Sequence, residues 1–338
     1  MNFTCGKRRN WLGRSASMAA TFTMSITLCM GLSSPAHADN YPSRQVLLIN
    51  PFSAGGSLDI VGRLLAQKLQ EMWGQPVIVE NRPGGSTSIG INTVAKAKPD
   101  GYTLGLATNT FAMNASRFEK LPYDSKKDIA PVSILTETPF FLVARADAPA
   151  KTFKEFLDWA KKTPGGLNYG SIGVATSPHI GGEMLRMATG LELTHVPYQG
   201  TPPALQGLIG GSTAVMFANV PDVVPHLKSN TLIAYAITEP RRSPTFPEVP
   251  TTAEVGFPQI NLVSWYALIA PGGTPTDIIQ KVSADVAKVL AMPDVQERLK
   301  QLELRPRGST PAELKALLDS EFDRYAKIVE DIGLEKVK

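Results

Sequence analysis

From residue 46 onwards, short hydrophobic runs alternate with stretches in which hydrophobic residues recur at helical spacing. The run at residues 46–49 leads through small residues at 53–57 to apolar residues at 58, 61, 64, 65, 69 and 72. The run predicts a buried strand, and the spacing of three and four predicts an amphipathic helix. Gly74 ends this helix, and the β-branched residues of 77–80 predict the next strand. The chain therefore opens with a βαβ unit whose strands are parallel.

The same alternation continues to residue 270, after which only helical spacing remains. The further predicted strands are 102–107, 140–144, 167–171, 194–198, 214–217, 232–237 and 264–270. The further predicted helices are 86–97, 153–162, 177–190, 201–210, 221–228, 275–291, 293–302 and 310–333. This order predicts an α/β protein with two doubly wound lobes. We place lobe 1 at residues 39–138 and 266–338 and lobe 2 at 139–265, with chain crossings near 139–145 and 262–268.

The first 38 residues have the composition of an export signal. Four basic residues and no acidic residue precede an apolar stretch from about residue 18 to 32, and Ala36-His37-Ala38 is an A-x-A cleavage site. We expect cleavage after Ala38 and a periplasmic mature chain. An uncleaved anchor helix is the alternative, although the apolar stretch is shorter than the ~20 residues of a membrane span. Arg8-Arg9 leaves export by the twin-arginine route open.

Removal of this segment changes how charge and cysteine content are interpreted. Four of the 34 Lys and Arg residues lie in it, which leaves 30 against 30 Asp and Glu. A formally neutral chain offers no electrostatic argument for nucleic-acid binding. Cys5 and Cys29 also leave with the signal, so the mature chain has neither a disulfide nor a thiolate. His179, His195 and His226 lack metal-ligand spacing, so we expect no metal and no cofactor.

Two segments join a strand to the start of a helix through small residues. We call residues 52–57 the first loop and residues 171–177 the second loop. Free backbone N–H groups and the helix dipole make such a helix start a site for an anion, although the first loop alone could equally be an ordinary connection. Neither loop carries a basic side chain, and neither matches the P-loop or the dinucleotide fingerprint. A carboxylate bound there would depend on backbone N–H groups and hydroxyls.

An ordered set of motifs resembles the Bug family, the solute-binding receptors of tripartite tricarboxylate transporters. The matching segments are 50–59 (Asn-Pro-Phe-Ser-Ala-Gly-Gly-Ser-Leu-Asp), 79–85 (Val-Glu-Asn-Arg-Pro-Gly-Gly), 98–103 (Lys-Pro-Asp-Gly-Tyr-Thr), 195–200 (His-Val-Pro-Tyr-Gln-Gly), 250–254 (Pro-Thr-Thr-Ala-Glu), Trp265 and 270–275 (Ala-Pro-Gly-Gly-Thr-Pro). The resemblance implies the type II periplasmic binding fold. It also implies an enclosed small organic carboxylate that is held largely by backbone N–H groups and water.

Residues near the two loops and at the ends of the predicted strands form the candidate site. The predicted ligand-binding residues are Phe52, Ser53, Ala54, Gly55, Gly56, Ser57, Asn109, Ser171, Ile172, Gly173, Ala175, Thr176, His179, Tyr198 and Asn219. A structural role is the alternative for four of them: turn formation or capping for Asn109 and Asn219, a capping or surface role for His179, and packing at the hinge for Tyr198. Asp59 is expected to interact with the amides of its own helix rather than with an acidic ligand.

Two functions remain open at this point. The first is a monomeric periplasmic receptor, without enzymatic activity, that delivers a carboxylate to membrane permease subunits or acts as a sensor. The second is an exported hydrolase or transferase on a related fold. The second would need a nucleophile and a base near Ser171 or Ser57, and we find no G-x-S-x-G elbow. The sequence does not distinguish dicarboxylates, tricarboxylates, aromatic acids and amino acids as ligands.

Overall fold

The computed structural model describes residues 1–2, 41–331 and 333–337. Apart from Met1 and Asn2, the predicted signal peptide and its cleavage site lie outside the described residues. The strands are β1 (Val46–Asn50), β2 (Val77–Asn81), β3 (Thr103–Thr108), β4 (Ile129–Arg145), β5 (Leu167–Ser171), β6 (Leu193–Pro197), β7 (Val215–Asn219), β8 (Leu232–Ile237), β9 (Val263–Pro271) and β10 (Arg305–Pro306). The helices are α1 (Ser57–Trp73), α2 (Ser88–Ala95), α3 (Asn109–Arg117), α4 (Phe153–Lys162), α5 (Ser177–Thr189), α6 (Thr201–Ile209), α7 (Val220–Lys228), α8 (Thr276–Leu290), α9 (Pro293–Gln301) and α10 (Pro311–Asp331).

The long strand β4 joins two groups of strands. The sheet order is β2-β1-β3-β9-β4-β7-β5-β6, and β8 and β10 also pair with β4. Residues 129–139 of β4 pair with β9, and residues 140–145 pair with β7 and β8. We refer to β1–β3, β9, β10, α1–α3, α8–α10 and residues 129–139 as lobe 1. Lobe 2 comprises residues 140–145, β5–β8 and α4–α7. The lobe boundaries given from the sequence stay a prediction.

Both faces of the sheet are covered by helices, which explains the nearly continuous hydrophobic runs of the strands. In β9, alternate residues pack into different clusters: Tyr266, Leu268 and Ala270 face α1 and α8, whereas Trp265, Ala267 and Ile269 face α3 and α10. The second half of β4 alternates in the same way between the two faces of lobe 2. This packing is the α/β architecture with two doubly wound lobes that the sequence predicts.

Three details differ from the pattern-based prediction. β4 begins at Ile129 rather than near residue 140. In addition, β9 lies between β3 and β4 and runs antiparallel to both. Helix α3 was not predicted, because Thr108-Asn109-Thr110 is typical of a strand end and the apolar run after it is short. Thr108 instead caps α3, since its side chain accepts a hydrogen bond from the Thr110 N–H.

Candidate functional site

The chain segments that follow β1, β3, β5 and β6, together with the end of β7, meet at a cleft between the lobes. This is where open α/β sheets place their ligands. The cleft is lined by Phe52, Ser53, Gly56, Ser57, Leu58, Asp59, Thr108, Thr110, Phe140, Ile172, Ser177, Pro178, Thr201, Asn219, Ser264 and Tyr266. The enclosed space is about 30 Å³, which is room for one or two water molecules. An organic acid therefore requires a wider separation of the lobes than this structure has.

Five helices begin at this cleft, and their N-termini supply its polar character. The lining includes first-turn or capping residues of α1 (Ser57), α3 (Thr110), α5 (Ser177), α6 (Thr201) and α7 (Asn219). The N-caps of α1, α5, α6 and α7 make no side-chain capping hydrogen bond. The dipoles of these helices therefore direct partial positive charge at the cleft, although the Ser57 N–H of α1 is bonded to Asp222 of lobe 2. No Lys, Arg or His belongs to the lining described for this cleft.

The first loop presents its backbone and one free hydroxyl to the cleft. Gly55 has a φ of 90°, which favours glycine, and its N–H donates to Asp59 Oδ2 at 3.1 Å. Burial raises the pKa of Asp59, but hydrogen bonds from Arg63, Asn81 and Gly55 outweigh it and lower the pKa below its ordinary value. Asp59 is thus bound to the loop before its helix and to neighbouring side chains, whereas the sequence predicts bonds to the amides of its own helix. Ser53 Oγ is buried and finds no partner among the described residues.

A carboxylate from lobe 2 reaches the start of α1 in lobe 1. The Ser57 N–H donates to Asp222 Oδ1 at 2.7 Å, and Asn219 Nδ2 and Thr201 Oγ1 lie 3.4 and 3.5 Å from Asp222 Oδ2. Burial raises the pKa of Asp222, and the hydrogen bonds from Ser57, Asn219 and Thr201 only partly oppose it. No ion pair of Asp222 occurs within the described part of the chain. Asp222 therefore joins the lobes without a cation.

The second loop is bonded largely to itself. Ser171 Oγ lies 2.6 Å from His195 Nε2 and accepts the Gly173 N–H at 3.1 Å. Thr176 Oγ1 donates to the Gly173 carbonyl, and the Ala175 N–H donates to His179 Nδ1 at 3.2 Å. These bonds consume the polar groups that were expected to face a ligand. Of this loop, only Ile172 and the helix start at Ser177 line the cleft.

The two histidines behind the second loop are stacked, with ring centroids 4.0 Å apart. Burial, together with nearby His195 and Arg117, lowers the pKa of His179 to about 3. Burial also lowers the pKa of His195 to about 4, an effect that Glu183 partly opposes. Both rings are therefore neutral at pH 7, and because His179 Nδ1 accepts a hydrogen bond, the proton of that ring lies on Nε2.

The structure brings only part of the predicted set to the cleft lining: Phe52, Ser53, Gly56, Ser57, Ile172 and Asn219. Ala54 and Gly55 lie exposed on the first loop, outside the lining, and Tyr198 packs against Gly207 in lobe 2. Asn109 is fully buried and bonded: its Nδ2 donates to the Val263 carbonyl at 2.9 Å and its Oδ1 accepts the Trp265 N–H. The capping or turn role considered for Asn109 is replaced by a link between the start of α3 and β9.

Several lining residues were not predicted. Thr110, Ser177 and Thr201 lie at helix starts, and the sequence predicts helices from residues 177 and 201 without assigning these residues to the site. Extending the rule for the first loop to every helix start after a strand would have found these residues. Asp222 lies 165 residues from Ser57 in sequence, and no local pattern signals that contact.

The remaining features of the described residues concern metal ions, membrane spans and one further groove. Among them, no group of three or more His, Cys, Asp and Glu side chains could hold a metal ion, and no helix is long and apolar enough to cross a membrane. A larger groove lies between residues 239–245 and 293–306, where Glu239 and Arg305 form an ion pair. Its lining contains no buried polar side-chain atom without a partner among the described residues, in contrast to Ser53 and Asn219 in the cleft.

Comparison with known proteins first defines the class. The structure of the periplasmic binding protein BugD aligns with a TM-score of 0.85 and 32% identity, over 88% of this chain and 100% of that one. MatC from Rhodopseudomonas palustris with bound malate aligns with a TM-score of 0.81 and 34% identity, over 86% and 100% of the two chains. An R. palustris protein with adipate aligns with a TM-score of 0.84 and 31% identity, over 88% and 100%. The fold is the two-lobe fold of periplasmic binding proteins.

The family follows from sequence. Residues 61–334 match the family described as "Tripartite tricarboxylate transporter family receptor". BugT of Bordetella pertussis is 34% identical over 305 residues, which cover 90% of this chain and 94% of that protein. A protein encoded in the tcbD-tcbE intergenic region of Pseudomonas sp. (strain P51) is 33% identical over 97% of this chain and 95% of its own. The chain belongs to the tripartite tricarboxylate transporter receptor family, which includes the Bug proteins.

Proposed function

We propose that this protein is an exported receptor that captures a small organic carboxylate between its lobes. The ligand carboxylate is held by N–H groups at the helix starts around the cleft. The observation that carries this proposal is the convergence of five helix N-termini on a cleft whose described lining has no basic side chain. A charge-assisted hydrogen bond contributes roughly 1.5–3 kcal/mol, so a few of them reach the ~8 kcal/mol of a micromolar complex. Adipate and malate in related structures agree with a carboxylate ligand.

The receptor then presents its closed, ligand-bound form to permease subunits of a tripartite transporter or to a sensor. That the lobes can close on each other is supported by contacts that join them in this structure, whose cleft is narrower than a ligand-bound form requires. The Ser57 N–H bonds to Asp222, and Gly200 approaches Ser53 so closely that a Cβ at Gly200 would lie 2.2 Å from Ser53 Oγ. A side chain at residue 200 would require Ser53 Oγ to move, and the φ of 104° at Gly200 also favours glycine. A partner that recognises this closed surface responds to the ligand without touching it.

The test is a titration of the mature chain, residues 39–338, with a panel of organic acids. Tryptophan fluorescence and isothermal calorimetry report binding, and NMR of the recovered ligand reports turnover. We expect at least one acid to bind with micromolar or better affinity and to be recovered unchanged. Tight binding by amines or sugars, with no response to any carboxylate, would contradict the proposal.

One observation favours the alternative of an exported hydrolase: Ser171 Oγ lies 2.6 Å from His195 Nε2, as a nucleophile and its base would. Against it, Ser171 is fully buried, and its Oγ also lies 2.9 Å from the Gly173 carbonyl, to which it can donate. His195 makes no hydrogen bond to a carboxylate among the described side chains, so no third group orients it. Product formation that disappears in Ser171→Ala would establish the alternative.

A further inference from the structure

The part of the cleft around Asn219 and Asp222 is rich in hydrogen-bond acceptors. Asp222 Oδ1 accepts the Ser57 N–H, and Asp222 Oδ2 faces Thr201 Oγ1 and Asn219 Nδ2. Tyr266, which lines the same part, has its hydroxyl 2.5 Å from Ser57 Oγ. The backbone donor at the start of α1 is therefore already bonded to the protein's own carboxylate. When the lobes separate to admit a ligand this bond is broken, and Asn219 and Asp222 remain together on lobe 2 as a pair of acceptors.

The orientation of the Asn219 amide follows from its neighbour. A carboxylate accepts hydrogen bonds, so the amide nitrogen of Asn219 faces Asp222 and the amide oxygen faces the other way. Asn219 is 7% exposed and lines the cleft, and its Oδ1 has no hydrogen-bond partner within the described residues. A buried acceptor without a donor is costly, and a bound molecule that supplies the donor removes that cost.

We propose that the ligand carries a hydroxyl or ammonium group in addition to its carboxylate, and that Asn219 Oδ1 and Asp222 select this donor. The inference rests on the proposed function, because it assumes a carboxylate held by the helix starts. Hydroxy and amino acids would then bind in preference to acids of the same size that lack a donor. A second carboxylate placed next to Asp222 would be repelled and would leave Asn219 Oδ1 unpaired.

The chemistry of the selecting pair also ranks the two donors. Both acceptors can bind a hydroxyl, but only an ammonium group brings the positive charge that Asp222 lacks among the described residues. Asp222 should therefore contribute more to the affinity for amino acids than to the affinity for hydroxy acids. Asn219 should contribute to the affinity for both. Ser53 Oγ can donate or accept, so it does not distinguish between these ligands.

Matched ligand series on the unmodified mature chain provide the first test. Each series contains an acid without a substituent and its 2-methyl, 2-hydroxy and 2-amino derivatives, in three-carbon monocarboxylic, four-carbon dicarboxylic and five-carbon dicarboxylic forms. In a series that binds, we expect the hydroxy or amino member to bind roughly 10- to 100-fold more tightly than the methyl member of equal size. Equal or tighter binding of the methyl or unsubstituted member would overturn the inference and leave the proposed function standing. Failure of every carboxylate to bind would overturn the proposed function, and the inference with it.

Two variants then test the residues. Asn219→Leu removes the acceptor at similar size, so the preference for the donor-bearing member should fall to within about 3-fold, because one buried hydrogen bond is lost. The matched control is Asn168→Leu, at an exposed position of β5 outside the cleft lining, which should keep the full preference. Thermal unfolding verifies that each variant is folded, and Asn219→Ala replaces Asn219→Leu if the latter is not. An unchanged preference in a folded Asn219 variant would overturn the role assigned to its amide oxygen.

Asp222→Asn removes the charge but keeps an oxygen for the Ser57 N–H. The affinity for the amino member should fall roughly 10-fold relative to the hydroxy member, because a charged hydrogen bond becomes a neutral one. Asp277→Asn is the matched control, since Asp277 is also a first-turn carboxylate but is exposed at the start of α8. If Asp222→Asn weakens both members equally, Asp222 does not read the charge of the ligand.

Discussion

The first and second loops both connect a strand to a helix through small residues, yet they differ in which of their polar groups are already hydrogen-bonded. The first loop leaves Ser53 Oγ unbonded within the described residues and gives the Ser57 N–H to the opposite lobe. The backbone N–H groups of the second loop are already bonded to nearby side chains: Gly173 donates to Ser171 Oγ, and Ala175 donates to His179 Nδ1. The sequence suggested a symmetric pair of anion sites. The structure has one open loop and one internally bonded loop.

The difference lies in the residues behind each loop. Asp59 takes the Gly55 N–H on the first loop, but it does not bond to the first N–H of α1, which Ser57 donates to Asp222 of the opposite lobe. Behind the second loop, two neutral histidines supply acceptors from a helix and a neighbouring strand. Lobe 2 therefore contributes polar side chains to the cleft lining at the starts of three helices, through Ser177 of α5, Thr201 of α6 and Asn219 before α7. Whether a small-residue loop binds a ligand depends on which acceptors its neighbours already provide.

The largest effect should come from placing a carboxylate on the open loop. Gly56 is the N-cap of α1 with φ −81°, and a Cβ there would come no closer than 3.4 Å to Thr201. In Gly56→Asp the new carboxylate caps α1 and repels an acidic ligand, so we expect at least ~100-fold weaker binding by calorimetry, about 2.7 kcal/mol. Pro275→Asp introduces the same group at the N-cap of α8 and should leave affinity unchanged. Full affinity in Gly56→Asp would mean that ligand does not use this helix start.

The histidines behind the closed loop predict a dependence of stability on pH. Their pKa values in the folded protein are about 3 for His179 and about 4 for His195, against about 6.5 in the unfolded chain. Below pH 6.5 the unfolded chain binds more protons, so stability falls as the pH falls towards these values. For His179 the loss at pH 4 is about 3 kcal/mol. Urea unfolding at several pH values measures it.

His179→Asn isolates this contribution, because the Asn oxygen can still accept the Ala175 N–H but the side chain does not titrate. We expect the loss of stability between pH 7 and pH 4 to shrink by about 3 kcal/mol in this variant. His226→Asn, near the end of α7, is the control and should reproduce the parent curve. A parallel pH curve for His179→Asn would show that the buried ring is not the group responsible.

Removing one hydroxyl from each loop should separate stability from binding. Ser171→Ala leaves the Gly173 N–H and His195 Nε2 without their partner, so we expect about 1–3 kcal/mol lower stability and little change in affinity. Ser53→Ala removes a buried hydroxyl that has no partner within the described chain, so stability should be unchanged or slightly higher while affinity falls about 5-fold. Thermal unfolding measures the stability of each variant, and calorimetry measures its affinity for the ligand. The same outcome for both hydroxyls would remove the distinction between the loops.

The smallest expected effect is that of salt. The described cleft lining contains no basic side chain, and its donors are backbone groups enclosed by the lobes. Screening acts on exposed charges, so the dissociation constant should change less than about 2-fold between 50 and 500 mM NaCl. A chloride-competition control in sodium sulfate distinguishes screening from ion binding. A 10-fold change would point to a charged side chain that contacts the ligand.

The sequence predicts the α/β class and the position of the first loop well, because both depend on local periodicity. It also places Asn219 at the cleft, as the end of a strand at the ligand edge of the sheet. It does not anticipate that Asn109 bonds to Val263 and Trp265, or that His195 bonds to Ser171. These contacts join residues 24 to 156 positions apart, and each decides whether a polar group is free. Availability of a group is a property of tertiary structure, which a local pattern does not contain.

The five helix starts at the cleft have an evolutionary consequence. Main-chain N–H groups persist through nearly every substitution, so the part of the site made of them is robust to mutation. The side chains between them, such as Asn219 and Ser53, can be exchanged without dismantling the helices that begin there. On such a scaffold, substitutions at these side chains are expected to change which molecule is accepted. A single ancestral architecture could in this way give rise to receptors for many different nutrients.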